Sequence, residues 1–127
     1  MAIFTHVAVG TNDVDQARVF YDAVLEPLGV GRVMDLERGS MWGTRAGPEL
    51  LVTQPFNGEP ATYANGGTVS FAAHSRAAVD AFHKVALAHG GRDEGAPGPR
   101  PFSPTAYAAY VRDPDGNKLC AYCFVPE

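Results

Sequence analysis

Basic residues are scarce in this chain: 10 Lys and Arg stand against 14 Asp and Glu among 127 residues, a formal net charge of −4, and they form no cluster. A nucleic-acid surface needs a basic stripe or patch, so no nucleic-acid partner is expected. No stretch approaches the ~18 uninterrupted apolar residues of a membrane span. The opening Met1-Ala2-Ile3-Phe4-Thr5-His6 has neither a basic region nor an apolar signal core, so a cytoplasmic protein with no membrane partner is expected. Cysteine is limited to Cys120 and Cys123. Their C-x-x-C spacing falls where 117–125 reads as a strand, and strand positions three apart face opposite ways, so two separate thiols are expected rather than a bridge or chelate. Also missing are a G-x-S-x-G elbow, a P-loop and a dinucleotide fingerprint after a strand, which sets aside serine hydrolases, kinases and nicotinamide enzymes. His74, His83 and His89 make no i, i+4 pair, and all three are expected at the surface or at edges.

What the chain does have is a weak internal repeat. His6-Val7-Ala8-Val9 leads through Asp13 into a stretch carrying Phe20 and Leu25 and ending at Gly29; 62 residues later Thr68-Val69-Ser70-Phe71 leads through Ser75 into Phe82, Leu87 and Gly91. Only four of these 24 positions are identical, so the signal is the shared order of strand, cap, apolar helix stripe and terminal glycine. At this length the repeat lies inside one domain, with a first module over about 1–54 and a second over about 66–127.

Alternation over 3–10 predicts a half-buried strand with Val7 and Val9 inward and His6 on the other parity. Asp13-Val14-Asp15-Gln16 predicts a helix start with Asp13 as cap, and Val14, Ala17, Phe20, Tyr21, Val24 and Leu28 form its buried stripe. Strands are expected near 30–36, 40–46 and 48–54, separated by Arg38-Gly39 and Gly47-Pro48 turns. A polar connector over 54–67 joins the halves. The second helix is expected from Ser75 to His89, ended by the Gly90-Gly91 pair. Four prolines and two glycines between Gly95 and Thr105 predict an irregular loop of the kind that serves as a lid. Strands near 106–112 and 117–125 are joined by Asp113-Pro114-Asp115-Gly116-Asn117, whose Pro and Gly supply turn geometry, and Cys120, Tyr122 and Phe124 share one face.

The opening strand with His6, the helix start with its Phe20-Tyr21 pair and the Arg112-Asp113-Pro114-Asp115-Gly116-Asn117 hairpin, in this order, resemble the vicinal oxygen chelate superfamily. That group includes glyoxalase I, bleomycin-resistance proteins, fosfomycin-resistance enzymes and extradiol dioxygenases. The resemblance implies an α+β fold of two βαβββ modules whose curved mixed sheet surrounds a central cavity, usually in a homodimer. In catalytic members it implies a divalent cation held by His or Glu from the first and last strands of the modules. His6 matches the first such position, Thr68 its counterpart, Cys120 the terminal-strand carboxylate position, and Glu49 the remaining one.

Thr68 is a poor ligand and a thiolate is soft, so this set is tolerable for zinc and poor for Mg²⁺. The leading expectation is therefore a glyoxalase/bleomycin-resistance-like protein that binds a small organic molecule, with no cofactor, in a cavity lined by His6, Thr68, Ser70, Cys120 and Tyr122. In this reading His6 is hydrogen-bonded to Thr68, Ser70 or the ligand. Arg100 is a candidate clamp for a substrate carboxylate. Two or three of Trp42, Phe102, Tyr107, Tyr110, Tyr122 and Phe124 are expected to touch ligand. The alternative is a lyase, isomerase or dioxygenase holding Zn, Ni, Mn or Fe through His6, Glu49 and Cys120. A third is metal-free acid-base catalysis by His6 with Tyr110 or Tyr122.

Overall fold

The structure, a computed structural model, describes residues 3–44 and 46–126. Arg45, which falls in the strand expected over 40–46, lies outside them, as do Met1, Ala2 and Glu127. The described residues form two units of the same order. The first holds β1 (His6–Gly10), α1 (Val14–Leu25), a 3-10 turn (Glu26–Leu28), β2 (Gly31–Leu36), β3 (Gly39–Gly43) and β4 (Glu49–Thr53). The second holds β5 (Val69–Ala72), α2 (Arg76–Ala88), β6 (Arg92–Pro99), β7 (Tyr107–Arg112) and β8 (Lys118–Cys123). Each contributes one four-stranded sheet, ordered β1-β4-β3-β2 and β5-β8-β7-β6. In both, the first strand runs parallel to the last and the other pairings are antiparallel. This is the paired βαβββ, α+β architecture expected.

Both helices start by the same device. The Asp13 carboxylate accepts from the Gln16 amide and the Ser75 hydroxyl from the Ala78 amide, each at 3.0 Å, satisfying one N-terminal donor that the helix leaves open. Each then buries one stripe: Ala17, Phe20, Tyr21, Val24 and Leu25 on α1, and Ala78, Val79, Phe82 and Ala86 on α2. The chain leaves each helix through a left-handed glycine, Gly29 at φ 76° and Gly90 at φ 91°, a conformation with no steric cost only for glycine. The glycine equivalent to Gly29 is therefore Gly90, not Gly91, and the chain reaches it one residue sooner after the helix cap. Leu87, aligned with Leu25 by spacing alone, is accordingly 43% exposed where Leu25 is fully buried.

The lid-like loop expected from Gly95 to Thr105 is corrected: its first half is strand β6. Pairing with β7 slips between Asp93 and Gly95 and again between Gly95 and Gly98, which accommodates the glycines and prolines. Only an edge strand tolerates that composition, and β6 is at the edge of its sheet.

Among the described residues no ladder joins the two sheets. Helix α1 packs on α2, and the 113–117 turn reaches across to the first unit. Buried Asp113 accepts from the amides of Asp115 and Asn117, from Asn117 Nδ2 and from the Tyr21 hydroxyl. Asp115 accepts from Thr11 Oγ1 at 2.6 Å and the Asn12 amide at 2.9 Å, and Asn117 Nδ2 also donates to Gly10 O at 2.9 Å. The Asp-Pro-Asp-Gly-Asn segment is thus a clasp between the units as well as a turn. Among the described residues no helix is long and apolar enough to cross a membrane.

Candidate functional site

Strand alternation sorts each sheet into a helix-facing side and an open side. In the first sheet Trp42, Leu50 and Val52 join the core with Val9 against it, and Trp42 Nε1 donates to Asp22. Trp42 is therefore core and does not line the open face. The opposite parity carries His6, Ala8, Met41, Glu49 and Leu51, with His6 directly opposite Glu49. The His6 ring is bonded not to Thr68 or Ser70, as expected, but to its neighbour, with Thr5 Oγ1 3.0 Å from Nδ1.

In the second sheet Val69, Phe71, Tyr107, Ala109, Val111, Leu119, Ala121 and Cys123 face the helices. Tyr107 donates to Asp80 of α2 at 2.6 Å and lies under Arg76, so it too belongs to the helix side. The open side carries Ser70, Ala72, Ala108, Tyr110, Lys118, Cys120 and Tyr122. The two cysteines are free thiols on opposite faces, as the strand parity requires.

The polar centre of this face is the pair of phenol hydroxyls of Tyr110 and Tyr122, 2.6 Å apart. Beside them the Cys120 sulfur meets the Ser70 and Tyr110 side chains, and burial pushes its thiol upward in pKa. Burial, then the bond to Tyr122, also raises Tyr110 well above the ordinary phenol range, so its hydroxyl keeps its proton. Nothing among the described hydrogen bonds links Tyr110 or Tyr122 to His6. Two cations approach the Tyr110 ring, Arg100 at 5.6 Å and Lys118 at 5.4 Å from its centroid. Arg100 donates to Ala96 O, Gly98 O and Pro99 O, bracing its own loop, so the expected carboxylate clamp is largely engaged with backbone. Phe124 stacks on Tyr122 at 5.5 Å, and Phe102 meets Tyr122 edge-on at 6.0 Å. An open groove of about 650 Å³ runs along Ser70, Ala72, Tyr122 and Phe124 to Val125 and Pro126.

The cavity expected from sequence is thus divided. Ser70, Cys120, Tyr122 and Tyr110 come together, His6 and Glu49 pair on the other sheet, and Thr68 lies in a smaller groove at the seam with Val7, Val9 and Lys118. Register also shows that Glu49 and Cys120 do not hold equivalent positions in the two units. Val7 opposes Leu50 and His6 opposes Glu49; in the repeat Val69 opposes Leu119, and one step back sets Lys118 opposite Thr68. Lys118 is therefore the counterpart of Glu49, while Cys120 corresponds to Leu51. Sequence reasoning passed over Lys118, although it shares the parity of Cys120 and Tyr122.

The cation implied by the resemblance is tested by these donors. One half offers His6 and Glu49, the other the Thr68 hydroxyl and the Cys120 thiol, and no three His, Cys, Asp or Glu side chains converge among the described residues. A catalytic ion needs about three protein donors. Within one chain these residues do not fit a divalent metal.

The family model of the Glyoxalase/Bleomycin resistance protein/Dioxygenase superfamily matches residues 3–121. Among solved structures, a glyoxalase/bleomycin resistance protein from Albidiferax ferrireducens T118 is 44% identical with a TM-score of 0.87, the match covering 96% of this chain and 98% of that one. A lactoylglutathione lyase from Agrobacterium tumefaciens is 27% identical with a TM-score of 0.67, over 96% of this chain and 92% of that one. A family enzyme from Burkholderia phytofirmans PsJN, 18% identical with a TM-score of 0.75 over 98% and 100% of the two chains, shares the fold. No curated protein matches. With two βαβββ units in the expected order and a family model spanning nearly its whole length, the chain belongs to the Glyoxalase/Bleomycin resistance protein/Dioxygenase superfamily.

Proposed function

We propose that this protein binds a small organic molecule on the open face of its second sheet and does so without the divalent ion of its catalytic relatives. The observation that carries this reading is the meeting of the Tyr110 and Tyr122 hydroxyls, 2.6 Å apart, with an apolar groove walled by Phe124. A concave apolar surface with a few converging polar groups is the usual form of a ligand site. Ser70 lines the same groove and meets the buried Cys120 sulfur beneath it. A second copy of the chain, covering the open faces, completes the cavity in this reading, and the cytoplasm is its setting.

The test is a ligand screen by thermal shift on the untagged protein, beside elemental analysis after incubation with Zn²⁺, Ni²⁺, Mn²⁺ and Fe²⁺. Compounds that raise the melting temperature of the protein but not of Tyr122→Ala support the proposal. About one tightly held ion per chain, lost in His6→Ala, overturns the metal-free part and returns the lyase, isomerase or dioxygenase reading.

A further inference from the structure

Ser70, Cys120 and Tyr110 stand in one row across β5, β8 and β7, because Cys120 is the register partner of both the others. On the open face the Cys120 sulfur is in hydrogen-bond contact with the Ser70 and Tyr110 side chains, and the Tyr110 hydroxyl lies 2.6 Å from that of Tyr122. The polar groups of Ser70, Cys120, Tyr110 and Tyr122 thus form one hydrogen-bonded string. Its interior is covered, with Cys120 only 1% exposed, while both of its ends, Ser70 and Tyr122, line the open groove. Among the described residues these side chains make no other hydrogen bond.

Each hydroxyl or thiol carries a single proton to donate. The links of the string use all of these protons but one, so one end can donate into the groove and the other can only accept. No described residue that lines the groove is charged: Arg100 is engaged with carbonyls of its own loop, and Lys118 lines the separate groove at the seam. Resting on the small-molecule reading above, we propose that the site selects an uncharged molecule that carries one hydrogen-bond donor and one acceptor on separate groups. The two ends of the string, Ser70 and Tyr122, take one each, and the apolar body lies along Ala72 and Phe124. A ligand with two acceptors sets lone pair against lone pair at one end, and a carboxylate gives up hydration to a groove that holds no cation.

Isothermal titration of the full chain with 4-(hydroxymethyl)acetophenone, its methyl ether and 4-(hydroxymethyl)benzoate tests this. The first offers a donor and an acceptor, the second two acceptors, the third a donor and an anion. The hydroxy ketone is expected to bind, with the ether and the acid each weaker by about ten-fold or more. Tyr110→Phe and Cys120→Ala each cut the string beneath the groove and leave Ser70 and Tyr122 both able to donate, so the ether should come within about two-fold of the hydroxy ketone. Cys120→Ser keeps the link and should keep the difference. The bulk of the ether is the same in every variant, so the change in ratio reads the string alone. An ether or acid that binds wild type as tightly as the hydroxy ketone, or a difference that survives both cuts, overturns the paired donor and acceptor class. If that binding is still lost in Tyr122→Ala, the small-molecule reading survives it. Silence from all three probes overturns the proposed class, and silence from the wider ligand screen as well overturns both.

Discussion

The hydroxyl of Tyr21 donates to Asp113 at 2.5 Å across 92 positions of sequence, between two residues sealed from solvent. Burial and the adjacent carboxylate drive the Tyr21 pKa upward, so it stays a donor. Tyr21→Phe keeps the ring packed against Phe20 and Trp42 but leaves a buried carboxylate oxygen short of one partner, at a cost of about 1–3 kcal/mol. Urea unfolding should show the loss as a lower midpoint with an unchanged slope; an unaltered midpoint would mean that water replaces the hydroxyl freely. Tyr21 was legible in the sequence as a member of a buried stripe, because helical periodicity is local. Its partner was not, because nothing in a pattern of neighbours tells which turn a hydroxyl reaches. The same limit explains Lys118. Parity put Lys118, Cys120 and Tyr122 on one face, but which of them stands opposite Thr68 depends on ladder register, and a two-residue slip preserves parity.

At the scale of elements, the outer strands are the weak members, and the two units secure them alike. On β2, Arg32 pairs with Asp22 of α1 at 3.0 Å; on β6, the Asp93 carboxylate meets His83 Nε2 of α2 at 2.8 Å, a tie between the equivalent two elements with the acid now on the strand. Arg32 and Asp93 hold corresponding register positions, opposite Trp42 and Val111. Three carboxylates of these strands have lowered pKa values: Asp35 chiefly through Ser40, Asp93 through His83, and Glu94 through Arg112. Each releases its proton more readily folded than unfolded, so its contribution to stability is present above the ordinary carboxylate range and is lost as pH falls through the lowered values. Asp93→Asn should therefore lower the urea midpoint at pH 7 and flatten its decline between pH 5 and pH 3, and an identical acid limb in the two proteins would refute the linkage. The strand itself was the chief miss of sequence reasoning. Its prolines and glycines read as loop because propensity assumes a regular ladder, whereas an edge with two register shifts has no such requirement.

For the whole molecule, the two-unit plan was readable because a repeat of strand, cap, stripe and glycine constrains both halves at once. How the halves are covered was not, since alternation gives the polarity of a face and not the identity of what lies over it. Two observations bear on the cover. The first sheet leaves Met34 at 52% and Leu36 at 43% exposure on its open side, and the second leaves Phe124 at 57%. Charges on these faces differ in sign as well, with Glu49 on one and Lys118 and Arg100 on the other. Apolar faces of complementary charge suit a second copy of the chain, and full burial of one such side chain contributes about 1.5–3 kcal/mol. Light scattering behind size exclusion should then give a dimer mass, and Leu36→Glu should shift it to the monomer at micromolar concentration without unfolding the chain, because Leu36 is not a core residue. If the cavity needs both copies, that variant must also lose the ligand that thermal shift identifies, although position 36 lies on the other sheet from Tyr122. A wild-type monomer that binds ligand at full strength would mean that each open face works alone, and the groove beside Tyr122 and Phe124 would then be the entire site.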